Sequence, residues 1–160
     1  MKATGNEQST PPLRQKYNDC VVAVFREITG EDEDRALYRF CPHLTGEPGI
    51  SLEALSSCLT DAGWMLTPYE CAVQQATGQD GSLGAAFNTF WTQFRGEAVI
   101  FYTKDDAKIG HAILVRSGGV VFDSSWSTGN EEFIVDYFKR FPEKLTVRSV
   151  SIVARMRGEK

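Results

Sequence analysis

Three residues of this chain, Cys20, His111 and Asp123, are of the types that nucleophilic catalysis by a thiol requires. Cys20 follows Asn18 and Asp19, which are good helix N-caps, and a run of apolar residues comes directly after it. A thiol in the first turn of a helix lies close to unpaired backbone N–H groups and to the positive end of the helix dipole, and both favour the thiolate. Cys20 is therefore a candidate nucleophile.

A thiolate also needs a base, and the chain contains only two histidines. His43 lies in a segment rich in proline and glycine, whereas His111 opens a predicted strand, residues 111–116. The Ser-Gly-Gly sequence at residues 117–119 predicts a tight hairpin, followed by a strand that ends at Asp123. Because the start of one hairpin strand lies beside the end of the next, we expect Asp123 to hold one nitrogen of the His111 imidazole.

Hydrophobic periodicity predicts the elements that position these side chains. Most helices come first and an antiparallel sheet follows, which is the α+β pattern. Helices are predicted for residues 18–29, 31–40, 51–62, 82–94 and 131–141, and strands for residues 64–69, 98–102, 111–116, 120–123 and 145–156. The apolar face of the helix at 51–62 is expected to pack on the buried helix that carries Cys20. Residues 41–49 and 70–82 are predicted to be loops, and the aromatic stripe at residues 87–94 is interpreted as core packing.

Length and composition predict one domain, residues 14–160, with a single core and no internal repeat. Residues 1–13 are mostly polar, contain two prolines and are predicted to form a flexible arm. The formal net charge of −4 argues against non-specific nucleic-acid binding, and no apolar run is long enough to span a membrane. Because the N-terminal residues contain no signal-peptide core, we expect a cytoplasmic protein or one delivered into a host cell by another route.

The remaining cysteines, Cys41, Cys58 and Cys71, are interpreted as buried thiols rather than disulfide partners. Cys41 and His43 bring two types of metal ligand close together, but the chain lacks the Cys-x-x-Cys and His-x₃₋₅-His spacings that are typical of zinc sites. We therefore predict no metal site and no other cofactor.

The order of these motifs resembles the papain-like cysteine peptidase superfamily, and most of all its compact bacterial and phage-type members related to bacteriocin-processing peptidases. The resemblance rests on Gln15 before Cys20, on Gly-His-Ala-Ile at residues 110–113, and on Asp-Ser-Ser-Trp at residues 123–126. These positions span most of the chain.

The resemblance implies a central helix that carries the nucleophile Cys20 and packs on an antiparallel sheet that carries the base His111. Asp123 would orient the imidazole, and Gln15 with the backbone N–H of Cys20 would form the oxyanion hole. Gln15 precedes the cysteine by five residues, where the family usually has six. Trp126 would correspond to the tryptophan that shields the orienting residue in papain, next to the substrate. The resemblance implies no cofactor.

The function implied by the resemblance is hydrolysis of an amide bond in a protein or peptide, and we expect a peptidase first. A glutamine deamidase and an acyltransferase or transglutaminase-like effector use the same triad and are alternatives. A catalytically inactive papain-like module that binds a protein is a third. The residues also allow a structural interpretation, in which Cys20 is a small buried side chain, His111 a hydrogen-bonded core histidine and Asp123 a turn cap. Substrate identity and oligomeric state are not predicted.

Overall fold

The computed structural model describes residues 20–44, 49–72, 85–104, 110–124, 132–139 and 145–156. It combines helices with a six-stranded antiparallel sheet and therefore has the predicted α+β class. The predicted flexible arm at residues 1–13 lies outside the described residues, as do the predicted N-caps Asn18 and Asp19. Among the helices that are described, none has both the length and the apolar character that a membrane crossing requires.

The described helices are α1 (Cys20–Thr29), α2 (Glu33–Phe40), α3 (Leu52–Asp61), α4 (Ala85–Gln93) and α5 (Ile134–Lys139). Local capping explains several of their bounds. The Asp32 side chain accepts a hydrogen bond from the backbone N–H of Arg35 at the start of α2, and Ser51 accepts one from Ala54 at the start of α3. At the end of α1, Gly30 has a φ of 80°, the left-handed conformation in which helices commonly stop.

The strands are β1 (Trp64–Pro68), β2 (Glu97–Lys104), β3 (His111–Arg116), β4 (Val120–Phe122), β5 (Glu132–Phe133) and β6 (Leu145–Arg155). Every hydrogen-bonded pair is antiparallel, and the order across the sheet is β1-β6-β2-β3-β4-β5. The predicted hairpin joins β3 to β4, with Leu114 opposite Phe122 and Arg116 opposite Val120. Strands β2 and β3 are therefore interior strands of the sheet.

Helices cover both faces of this sheet. The first three helices share a core with Val99, Ala112 and Leu114, and helices α4 and α5 share another with Ile100 and Ile113. The prediction of a single core is therefore wrong, because the sheet separates two hydrophobic clusters. Strands β2 and β3 are almost continuously apolar in sequence, which is the pattern expected of strands buried on both faces.

Helix α1 is buried almost all round, as its continuous apolar run predicts. Its buried apolar residues after Cys20 are Val21, Val22, Val24, Phe25 and Ile28, each at most 7% exposed. They pack against α2, α3 and β3. The aromatic stripe of α4 is also core, with Phe87 and Trp91 fully buried.

Three segments differ from the predicted elements. Residues 132–133 form β5, not the first turn of a helix, because they pair with Val120 and Val121 of β4. Residues 70–72 are helical and residues 41–43 form a 3-10 turn, in segments where the sequence predicts loops. Propensity is a weak guide to such short segments, because a neighbouring strand or helix overrides it.

Candidate active site

His111 and Asp123 meet at one end of the β3–β4 hairpin. Leu114 pairs with Phe122 in the β3–β4 ladder, so the next residue, Asp123, lies opposite Ile113. Because alternate residues of a strand share a face, His111, Ile113 and Asp123 belong to the same face of the sheet. Oδ1 of Asp123 lies 2.7 Å from Nε2 of His111. This is the proximity that the hairpin predicts, and it engages one nitrogen of the imidazole with a carboxylate.

Cys20 reaches the same place from helix α1. It is the first described residue of that helix and is 4% exposed. Its thiol is close enough to the imidazole of His111 to raise the pKa of that histidine. Because Nε2 of His111 is engaged by Asp123, Nδ1 is the nitrogen left for the sulfur. The fold thus brings Cys20, His111 and Asp123 into one contact series.

The packing of α1 on β3 determines where Cys20 lies. Two alternate side chains of β3, Ala112 and Leu114, belong to the same hydrophobic cluster as the buried side chains of α1. At the far end of β3, Arg116 also joins Glu27 of α1 at 2.5 Å and Glu97 of β2 at 3.3 Å. These partly exposed ion pairs contribute on the order of 1 kcal/mol or less, so apolar packing is the main constraint on the position of the thiol.

The environment of His111 favours its charged form. Burial by itself lowers the pKa of His111, because it disfavours the imidazolium charge. The hydrogen bond to Asp123 and the interaction with Cys20 oppose this effect and outweigh it, so that the pKa is raised to about 9. His111 is therefore protonated at neutral pH, and a positive charge beside a sulfur stabilises a thiolate.

Two tyrosines that are not predicted from the sequence also belong to the buried polar cluster. The hydroxyl of Tyr137 on α5 donates to Oδ2 of Asp123 at 2.5 Å, and the hydroxyl oxygen of Tyr102 on β2 lies 2.7 Å from that of Tyr137. Tyr102 also stands opposite His111 in the β2–β3 ladder and packs edge-to-face on its imidazole, with ring centroids 5.7 Å apart. In sequence both are ordinary aromatic core residues, so no local signal marks them.

Two backbone features adapt the sheet to His111. A Cβ atom at Gly110 would lie 2.6 Å from the carbonyl oxygen of Tyr102, so glycine permits the close approach of β2 and β3. The β2–β6 ladder also changes register between Phe101 and Tyr102, so that Arg148 is passed over in the pairing. Irregularities of this kind redirect side chains next to functional sites.

Other residues with suitable chemistry lie away from this cluster. His43 is half-buried at the end of a 3-10 turn. Cys58 is buried in α3, where burial and then the charge of Asp61 raise its pKa to about 11. The prediction that Cys41 and Cys71 are buried is wrong, since both are exposed. In the described part of the chain, no cluster of three or more His, Cys, Asp or Glu could hold a metal ion.

Comparison with known proteins adds no family assignment. No protein-family model matches the chain, and neither a curated protein nor a solved structure matches it. The predicted oxyanion residue Gln15 and the predicted shielding residue Trp126 lie outside the described residues. What the arrangement can do chemically therefore follows from the contacts of Cys20, His111 and Asp123.

Proposed function

We propose that this protein is a papain-like cysteine hydrolase that cleaves an amide bond of a protein or peptide, most simply as a peptidase. The observation that carries the proposal is the contact series from Cys20 through His111 to Asp123. Its order is that of nucleophile, base and orienting carboxylate. The raised pKa of His111 and the place of Cys20 at the start of a buried helix support the same assignment.

In the first half of the proposed reaction, the Cys20 sulfur attacks the carbonyl carbon of the amide. The C–N bond breaks, His111 gives its Nδ1 proton to the leaving nitrogen, and the acyl group remains on Cys20 as a thioester. In this proposal, negative charge on the carbonyl oxygen develops at the N-terminal end of α1, where backbone N–H groups and the helix dipole stabilise an anion.

In the second half, water attacks the thioester carbonyl and His111 accepts a proton from it. The C–S bond then breaks, which releases the acid and restores the thiolate and the imidazolium. Asp123 accepts a hydrogen bond from Nε2 throughout and so maintains the orientation of the ring. An amine in place of water would lead to acyl transfer by the same three residues.

Alkylation tests the proposed nucleophile. Replacing the exposed Cys41 and Cys71 by serine leaves two buried thiols, Cys20 and Cys58, which are 4% and 1% exposed. With iodoacetamide at about pH 6 we expect Cys20 to react at least about tenfold faster than Cys58, because an imidazolium lies beside Cys20. Peptide mass spectrometry measures both rates in one sample.

His111→Gln removes the imidazolium and should bring the alkylation rate of Cys20 close to that of Cys58. His43→Gln is the matched control and should leave the rate of Cys20 unchanged. Equally slow alkylation of Cys20 and Cys58 would contradict the proposed hydrolase and would favour an inactive binding module.

The type of amide is tested by mass spectrometry of candidate protein substrates, treated with the protein or with Cys20→Ala. New chain termini that require Cys20 identify a peptidase. Conversion of a glutamine to glutamate in an intact chain identifies a deamidase, and attachment of an added amine identifies an acyltransferase.

A further inference from the structure

We propose that Tyr137 and Tyr102 are positioning residues of the candidate site, forming a directed hydrogen-bond chain that keeps the buried carboxylate of Asp123 charged and turned toward His111. The inference rests on the proposed function, since a positioning role presupposes that the site is catalytic. It adds two side chains from α5 and β2 to the thiol, imidazole and carboxylate.

The number of available protons determines the direction of this chain. With His111 protonated, both oxygens of Asp123 act as acceptors, Oδ1 from Nε2 and Oδ2 from the hydroxyl of Tyr137. The 2.5 Å distance to Tyr137 is typical of an O–H donor bound to a carboxylate. A tyrosine hydroxyl has one proton, which Tyr137 donates to Asp123, so Tyr102 must be the donor in the 2.7 Å contact between the two hydroxyls.

Tyr137 remains a donor over the whole range in which His111 titrates. Burial raises the pKa of Tyr137 far above its ordinary range, and Tyr102 and the bond to Asp123 act in the same direction. Its hydroxyl therefore stays protonated in both charge states of His111. A group that holds the carboxylate in place throughout a catalytic cycle must behave in this way.

Asp123 needs such donors because it is 5% exposed and water has little access to it. A buried carboxylate without hydrogen-bond donors is strongly disfavoured. His111 binds one oxygen from β3 and Tyr137 binds the other from α5. Two elements therefore hold the two oxygens, which fixes the orientation of the carboxylate relative to the imidazole.

Tyr102 contacts two residues of the cluster, Tyr137 and His111. Its hydroxyl supports Tyr137, and its ring contacts the imidazole of His111 at 5.7 Å between centroids. Tyr102→Phe retains the ring and removes only the hydroxyl. The two contributions of Tyr102 can therefore be separated experimentally.

The titration of His111, followed by NMR, tests the chain. In a His43→Gln background His111 is the only histidine, which assigns the signal. Tyr137→Phe retains the ring but removes the donor that keeps Asp123 charged and turned toward His111. The imidazolium then loses part of its stabilisation, so we expect the titration midpoint of His111 to move downward. The variant retains Asp123 and Cys20, the two titratable groups whose interactions raise the pKa of His111.

Tyr102→Phe should move the midpoint in the same direction by a smaller amount, because the loss of one bond in a chain weakens the next. Tyr38→Phe is the matched control, since Tyr38 is 81% exposed, and should leave the midpoint unchanged. An unchanged or raised midpoint in Tyr137→Phe contradicts the proposal. If that variant does not fold, an unchanged or raised midpoint in Tyr102→Phe contradicts it.

The two hypotheses fail in different ways. The NMR titration requires no reaction at Cys20, so it reports on the tyrosines even if Cys20 proves unreactive. Slow alkylation together with a shifted His111 titration would exclude the hydrolase and retain the hydrogen-bond chain. Fast alkylation of Cys20 with an unshifted titration would retain the nucleophile and exclude the positioning role of Tyr137.

Discussion

His111 links the candidate site to the stability of the fold at the scale of a single residue. Its pKa in the folded protein is about 9, above the ordinary histidine value of 6.5. A folded-state pKa that is raised in this way gives stabilisation that is complete below about pH 6.5 and is lost as the pH rises through about 9. The stabilisation from the His111 imidazolium is therefore lost between about pH 6.5 and pH 9.

We expect the destabilisation caused by His111→Gln to be larger at about pH 6 than at about pH 10. The pKa difference corresponds to at most about 3 kcal/mol between these conditions. Urea unfolding of both proteins at both pH values measures it, and comparing the variant with the wild type cancels the titration of other groups. A destabilisation that does not change with pH would contradict the raised pKa of His111.

The lack of a side chain at Gly110 allows β2 and β3 to approach closely beside His111. Gly110→Ala places a methyl group against the carbonyl oxygen of Tyr102, so β2 and β3 must separate next to His111. We expect a loss of unfolding free energy of about 1–3 kcal/mol, as for overpacked sites, together with slower alkylation of Cys20. Denaturant unfolding and the alkylation rate measure the two effects.

Gly30→Ala is the control for Gly110→Ala. Position 30 has a positive φ but open space around a Cβ, so the substitution strains the backbone without a clash. It should reduce stability and leave the alkylation rate of Cys20 unchanged. If Gly110→Ala also left that rate unchanged, the close approach of β2 and β3 would have no role in the site.

At the scale of elements, the helix that carries Cys20 is aligned by its apolar side chains. Phe25 of α1 is fully buried and meets Phe40 of α2 edge-to-face, with ring centroids 5.4 Å apart. Arg116, in contrast, ties β3 to α1 only through a partly exposed ion pair with Glu27. Packing therefore outweighs charge in fixing α1 against the sheet.

Phe25→Ala should lower the free energy of unfolding by about 3–5 kcal/mol, because it opens a cavity in the core. Arg116→Gln should lower it by about 1 kcal/mol or less. Chemical denaturation measures both, and Tyr38→Ala is a surface control because Tyr38 is 81% exposed. A larger effect of Arg116→Gln than of Phe25→Ala would show that ion pairs, not packing, hold α1.

At the scale of the whole molecule, the sheet is the layer shared by both cores. Strands β2 and β3 pair on both sides and have helices over both faces, whereas β5 is a two-residue strand at one edge. Regions with many buried contacts open least often. The sheet should therefore be most stable where it carries Tyr102 and His111.

Hydrogen exchange tests this distribution of stability. We expect amide exchange to be slowest in β2 and β3 and faster in β5 and the edge strand β1. Mass spectrometry of peptides from exchanged protein resolves these segments. Exchange in β2 as fast as in β5 would contradict a stable centre of the sheet.

Most helix bounds and the β3–β4 hairpin are predictable because they depend on local signals. Asp32 and Ser51 cap the next turn of the chain, and the glycines at 118 and 119 suit a tight turn. The second core, strand β5 and the exposure of Cys41 and Cys71 are not predicted. Each depends on which distant surface covers a residue, and hydrophobic pattern alone does not identify that surface.

In the candidate site, too, some contacts depend on local sequence and others on packing between distant segments. The proximity of His111 and Asp123 follows from the amino-acid order, because a short hairpin brings its strand ends together whatever surrounds it. The approach of Cys20 to His111 depends on the packing of α1 against β3, and the donation by Tyr137 depends on the packing of α5 on the opposite face. Burial of apolar surface decides such long-range contacts, because it is non-directional and acts between elements far apart in the chain.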